Sequence, residues 1–295
     1  MNVHLVTVSF DKDLEWLKYS IESIKKFCKG YSGHTIILDD AENNCDKTIE
    51  YLDSIKYNYV IETESKNIAN PYIGQQYRKL VADKFVPEDT DYICHVDSDC
   101  IFYEEHTPDV YFSPGHDVPD MLMTQYDQIY DDRYVLCWKA PVEEFLGDKV
   151  KFEFMRRLPL LYPPSFMKEV RSYIEQKFET DPLTYLQSVP AFSEFNAFGA
   201  LAYTHHNHLF NWINTIDTDK RETLPLLQMW SHGGIENEQY KINSLLQYPK
   251  VHHKLKCLLQ HMEQTRSLPF DLSYAEIDYR RDDITNLWRL LHEQP

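Results

Sequence analysis

The chain opens on Val3-His4-Leu5-Val6-Thr7-Val8-Ser9-Phe10, an apolar run of strand length. It then passes into Asp11–Phe27, where Leu14, Leu17, Ile21, Ile24 and Phe27 recur at helical spacing behind an aspartate cap. A strand feeding a helix is the first prediction. Two further strands are expected in His34-Thr35-Ile36-Ile37-Leu38-Asp39-Asp40, a β-branched run ending in two aspartates, and in the shorter segment Tyr57–Thr63. Strands alternating with helices predict a parallel, doubly wound α/β sheet.

Residues 71–85, PYIGQQYRKLVADKF, read as a helix, and residues 87–91 as the connection into DYICHVDSDCIF, residues 91–102. That strand is apolar up to Val96, breaks at Asp97-Ser98-Asp99 and resumes at Cys100. Acidic residues ending a central strand lie where open α/β sheets bind ligands. Between Glu104 and Pro164, prolines and aromatics without a clear period predict strands and loops. PPSFMKEVRSYIEQKF, residues 163–178, predicts a helix started by proline, with SEFNAFGALAY following a proline-containing loop. Segments such as ENEQYKINSLLQY and DDITNLWRLLHEQ predict amphipathic helices after residue 235.

Composition narrows the function classes. With 43% hydrophobic residues, 14% aromatics and 8 glycines, the chain has the material for a sizeable core and does not resemble a disordered segment. A net charge of -17 repels nucleic acid and anionic membranes over most of the surface, so neither is an expected partner. An anionic ligand is still admissible where a cation lies between it and protein carboxylates. The N-terminal run reads as a buried strand rather than a signal peptide, and no stretch approaches a membrane span. Six scattered cysteines without a CxxC pair favour a reducing, cytoplasmic setting.

The candidate chemistry centres on Asp97 and Asp99. Two carboxylates separated by one residue, on a turn that ends a strand, offer oxygens to a hard cation such as Mn or Mg and to a ribose, with Ser98 between them; the alternative is an acidic turn. His232, in Trp230-Ser231-His232-Gly233-Gly234, is a candidate third ligand, glycines there allowing close backbone approach. His95 is expected in the core or behind the site. Glu194, an acid set between Phe192 and Phe195, is the candidate general base with a raised pKa, or else an ordinary helix-start residue beside Ser193.

PYIGQQYRKL, DYICHVDSDCIF, LYPPSF and FSEFNAFG, taken in that order, resemble a little-characterised family with a QQxxKL, DSD and FSEYExYG pattern that is regarded as glycosyltransferase. The order of strands resembles GT-A nucleotide-sugar transferases over the first two thirds of the chain. The last motif departs from the pattern at Asn196 and Ala197. This resemblance implies a GT-A catalytic domain over residues 1–235, with a donor half at 1–103, an acceptor half at 104–235 and a helical extension at 236–295. It implies that Thr7, Ser9 and Asp39 or Asp40 hold base and ribose, and that Gln76 and Lys79 lie on the donor side, Lys79 offsetting phosphate charge. Arg156 and Arg157 are further candidates for phosphate or acceptor. The implied activity is transfer from a nucleotide sugar, UDP-linked ahead of GDP-linked, to a glycan or other hydroxyl, with inversion at Glu194. Two other classes use the same features: a metal-dependent nucleotidyltransferase or phosphohydrolase, and a carbohydrate-binding protein whose aromatics stack on sugars.

Overall fold

The computed structural model describes residues 1–39, 45–65, 68, 70–102, 105–128, 133–155, 158–189, 191–215, 217 and 226–228. Four strands, β1 (Val3–Ser9), β2 (Gly33–Asp39), β3 (Tyr59–Glu62) and β4 (Tyr92–His95), run parallel. β8 (Leu160–Tyr162) adds to β4 antiparallel, giving the order β3-β2-β1-β4-β8. The chain is therefore α/β with a mixed, mostly parallel five-stranded sheet.

Period-2 alternation shows which helices cover which face. Ile36 and Leu38 join Leu17, Ile21 and Leu52, from α1 (Leu14–Phe27) and α2 (Asp46–Ser54), in one apolar cluster. Ile37 between them belongs to the larger core, with Ile73, Tyr77 and Leu80 of α3 (Pro71–Leu80) and with Phe195 and Phe198 of α7 (Glu194–His205). All five residues that predicted α1 are buried. Its aspartate does not cap it as expected, because the Asp13 side chain bonds no N–H of the first turn and is directed elsewhere.

The stretch from Glu104 to Pro164 corrects the reading of strands and loops alone. Following β5 (Cys100–Phe102), it holds β6 (Asp120–Gln125), β7 (Phe152–Glu153) and β8, but also the 14-residue helix α4 (Arg133–Leu146). Pro141 inside α4 hides it from a propensity reading. α5 (Pro164–Phe178) begins at its proline as expected, and the short α6 (Pro182–Ser188) precedes α7. β6 pairs with β7 and with β9 (Asn211–Asn214), and β10 (Leu226–Gln228) returns antiparallel to β5 beside the acidic turn. The expected helices of 236–295 lie outside the described residues.

Candidate functional site

Past His95, the Val96 N–H still bonds the Val6 carbonyl at 2.9 Å, so the sheet carries the chain up to Asp97. The chain then turns, the Cys100 N–H donating to the Asp97 carbonyl at 3.0 Å, and β5 departs. Asp97-Ser98-Asp99 thus stands at the carboxyl edge of the central strands, the position predicted for it.

Helix α3 builds the wall opposite this turn. Tyr72, Gln76 and Lys79 fall at i, i+4 and i+7 and share one helix face. The Tyr72 hydroxyl donates to the Phe192 carbonyl at 2.7 Å, and Gln76 Oε1 accepts from the Glu194 N–H at 3.0 Å. These two bonds fix the first turn of α7, with its positive dipole end, against α3. Lys79 is one turn further along. Its Nζ lies 2.7 Å from Asp97 Oδ1 and 3.0 Å from Glu194 Oε1, and 4.8 Å from the Phe195 ring centre.

Both ends of this bridge are buried, the side chains of Lys79 and Glu194 being only 4% and 2% exposed. Lys79 therefore does not lie on a solvated helix face. Burial by itself would lower the lysine pKa, but Asp97 and Glu194 outweigh it and hold the ammonium charged. Burial raises the Glu194 pKa, the direction expected of a general base, and Lys79 opposes that rise. Two carboxylates from segments nearly one hundred residues apart thus share one buried cation.

Behind the turn, Ser98 donates to Asp13 Oδ2 at 2.8 Å. Burial lifts the Asp13 carboxyl to about 6, the Ser98 bond opposing this and the neighbouring Asp97 charge adding to it. The other Asp97 oxygen, Oδ2, lies 3.4 Å from the Gln228 amide nitrogen of β10. Asp13 and Gln228 are site neighbours that sequence reading missed. A helix-cap aspartate and a glutamine in a poorly patterned segment carry no signal of a partner more than eighty residues away.

Other candidates are placed as follows. Ser9 closes β1 and is buried, and its hydroxyl has no hydrogen-bond partner among the described residues. Thr7 is buried two residues earlier and shares a 2.9 Å hydrogen bond with His34 Nε2, so its hydroxyl is used within the sheet. Asp39 ends β2 and is ion-paired with the buried Arg78, whose Nε also lies 3.6 Å from Glu62. His95 is buried with its ring centre 5.3 Å from that of Phe195, and its pKa is lowered to about 3 by burial and by Lys79, so the ring stays neutral. Asn196 is structural: its Oδ1 accepts from the Phe154 N–H at 2.8 Å and its Nδ2 donates to Ser193 Oγ at 3.0 Å. Asp40, Arg156, Arg157 and His232 lie outside the described residues.

Among the described residues, no three His, Cys, Asp or Glu side chains are grouped to hold a metal. The donor chemistry of the turn nevertheless suits a hard cation, since it is carboxylate oxygen throughout. Mg-type ions take only one or two protein carboxylates when diphosphate oxygens and water complete the shell. No family model and no curated protein matches the chain. Among the described residues, no helix is long and apolar enough to cross a membrane.

Proposed function

We propose that this chain is a metal-dependent glycosyltransferase of GT-A type, moving a sugar from a nucleotide-diphosphate donor, UDP-linked ahead of GDP-linked, to a glycan hydroxyl. The observation that carries this reading is the Lys79 bridge, which brings the turn suited to the donor diphosphate and a carboxylate suited to the acceptor to one buried point.

In this reading Asp97 and Asp99 hold the cation, Mn or Mg, and Ser9 and Asp39 stand at neighbouring strand ends, where a nucleoside would lie along the sheet edge. A hard cation at that turn supplies charge neutralisation for the departing diphosphate. Glu194 accepts the acceptor hydroxyl proton as its oxygen bonds the anomeric carbon. The bond from that carbon to the diphosphate breaks on the opposite face, and the product is inverted. Burial raises the Glu194 pKa while the Lys79 ammonium favours the ionised carboxylate that accepts the proton, and the neutral His95 ring packs against Phe195 beside it.

The test is release of nucleotide from a panel of UDP- and GDP-sugars with Mn present and acceptor absent. Free nucleoside diphosphate from the wild type, reduced at least about a hundredfold in Asp99→Ala, is expected. Pyrophosphate or inorganic phosphate as product would instead assign a nucleotidyltransferase or phosphohydrolase.

A further inference from the structure

Both carboxylate oxygens of Asp97 already face a donor. Oδ1 has the Lys79 ammonium at 2.7 Å, and Oδ2 has the Gln228 amide nitrogen at 3.4 Å. A divalent cation approaching Asp97 meets a like charge within contact distance, in surroundings too buried for water to screen it. Lys79 has nowhere in solvent to go, since its side chain is 4% exposed and lies against the Phe195 ring. Its second seat is Glu194, 3.0 Å away and equally buried.

We propose that Lys79 acts as an internal stand-in for the cation. Its ammonium holds Asp97 while the site is empty, keeps a metal ion from binding there alone, and passes wholly to Glu194 when cation and nucleotide diphosphate enter together. Lys79 is thus a positioning residue that makes metal binding depend on donor. This rests on the glycosyltransferase reading of Asp97 and Asp99. The diphosphate supplies the negative charge that draws the cation onto Asp97 in place of the ammonium, and the ammonium's loss of Asp97 is offset because Glu194 retains it.

The experiment follows uptake of Mn from the loss of its free-ion resonance signal, without nucleotide and with UDP or GDP. It compares wild type, Lys79→Met, Lys79→Gln, which keeps a hydrogen-bond donor at lower cost to folding, and Lys84→Met, the loss of an exposed lysine paired with Glu64. Wild type and Lys84→Met should take Mn weakly alone and tightly with nucleotide. The Lys79 variants should take Mn alone at least about tenfold more tightly than wild type. Equal affinities for Mn alone in wild type and the Lys79 variants, or an equal gain in Lys84→Met, overturn the proposal. Failure of the wild type to take Mn even with nucleotide removes the metal reading beneath it. If neither Lys79 variant folds, the ammonium resonance of Lys79 in 15N-lysine-labelled wild type decides. A shift on adding Mg with nucleotide but not Mg alone supports the exchange of seats, and no shift refutes it.

Discussion

Gly199 closes the FSEFNAFG segment in the interior of α7, where helix propensity predicts that alanine would stabilise the chain by about 1 kcal/mol. The packing predicts the opposite. A methyl on Gly199 would overlap Cβ and Cγ of Phe154 and come within 2.9 Å of its Cδ1, whereas ordinary contact begins at 3.4 Å. Phe154 cannot give way easily: it is buried, its N–H is held by Asn196, and its ring is packed against Phe152, Tyr203 and Trp212. Overpacking of this kind costs about 3 kcal/mol at the upper end of its usual range, so Gly199→Ala should lose about 2 kcal/mol net. In urea unfolding followed by tryptophan fluorescence, that is a midpoint lower by about 0.7 M for a slope of about 3 kcal/mol per molar. Glu194 lies about one and a half turns upstream on the same helix, so the shift should also loosen its pairing with Lys79. A midpoint raised above wild type, as propensity alone requires, would refute the packing argument.

Three further outcomes follow from the site. Glu194→Gln should weaken Mn uptake with nucleotide, because Lys79 loses the charge of its second seat, and at saturating donor should slow sugar transfer by about a hundredfold to ten-thousandfold; a product that retains the donor's anomeric configuration would remove Glu194 as base. Burial lifts the Asp13 carboxyl to about 6 from its ordinary value of 3.8, so the folded state holds the extra proton between those values, and Asp13 costs stability increasingly as pH rises through that window. Asp13→Asn keeps an acceptor for Ser98, and its urea midpoint should exceed that of wild type by more at pH 7.5 than at pH 4, the difference reaching about 2 kcal/mol; an advantage independent of pH would refute this. His34 is buried and neutral, its pKa lowered to about 3 by burial and by His4, so its contribution is complete above the unfolded value near 6.5 and is lost as pH falls below it. In His34→Gln the acid side of the stability profile should be flatter than in wild type, and an unchanged slope would count against a neutral His34.

β1 and β2 were legible in the sequence because parallel strands buried on both faces read as plain apolar runs, as VHLVTVSF and TIILD do, whereas the short β9 and β10 carry no such run and were not foreseen. α1 was legible because its apolar residues keep one stripe. Of α7 only the start at Ser193-Glu194 was legible, since every residue from Glu194 to Ala202 is buried and no polar face marks a period. The acidic turn was readable because local order places it at a strand end. Its partners were not, because burial of Lys79 and Arg78 depends on which side of α3 meets the sheet. Adjacent basic residues on a helix with polar side chains all round give no clue that one serves Asp97 and Glu194 and the other Asp39 and Glu62.

The central claim is that the Asp97-Ser98-Asp99 turn receives a donor diphosphate through a divalent cation. It is tested most directly by anomalous diffraction at the manganese edge from crystals grown with Mn and UDP, and in parallel GDP. The account predicts a manganese peak about 2.0–2.3 Å from carboxylate oxygens of Asp97 and Asp99, shared with the diphosphate, with Lys79 on Glu194. A nucleotide bound without manganese at that turn, or manganese bound elsewhere with Lys79 still on Asp97, would contradict it.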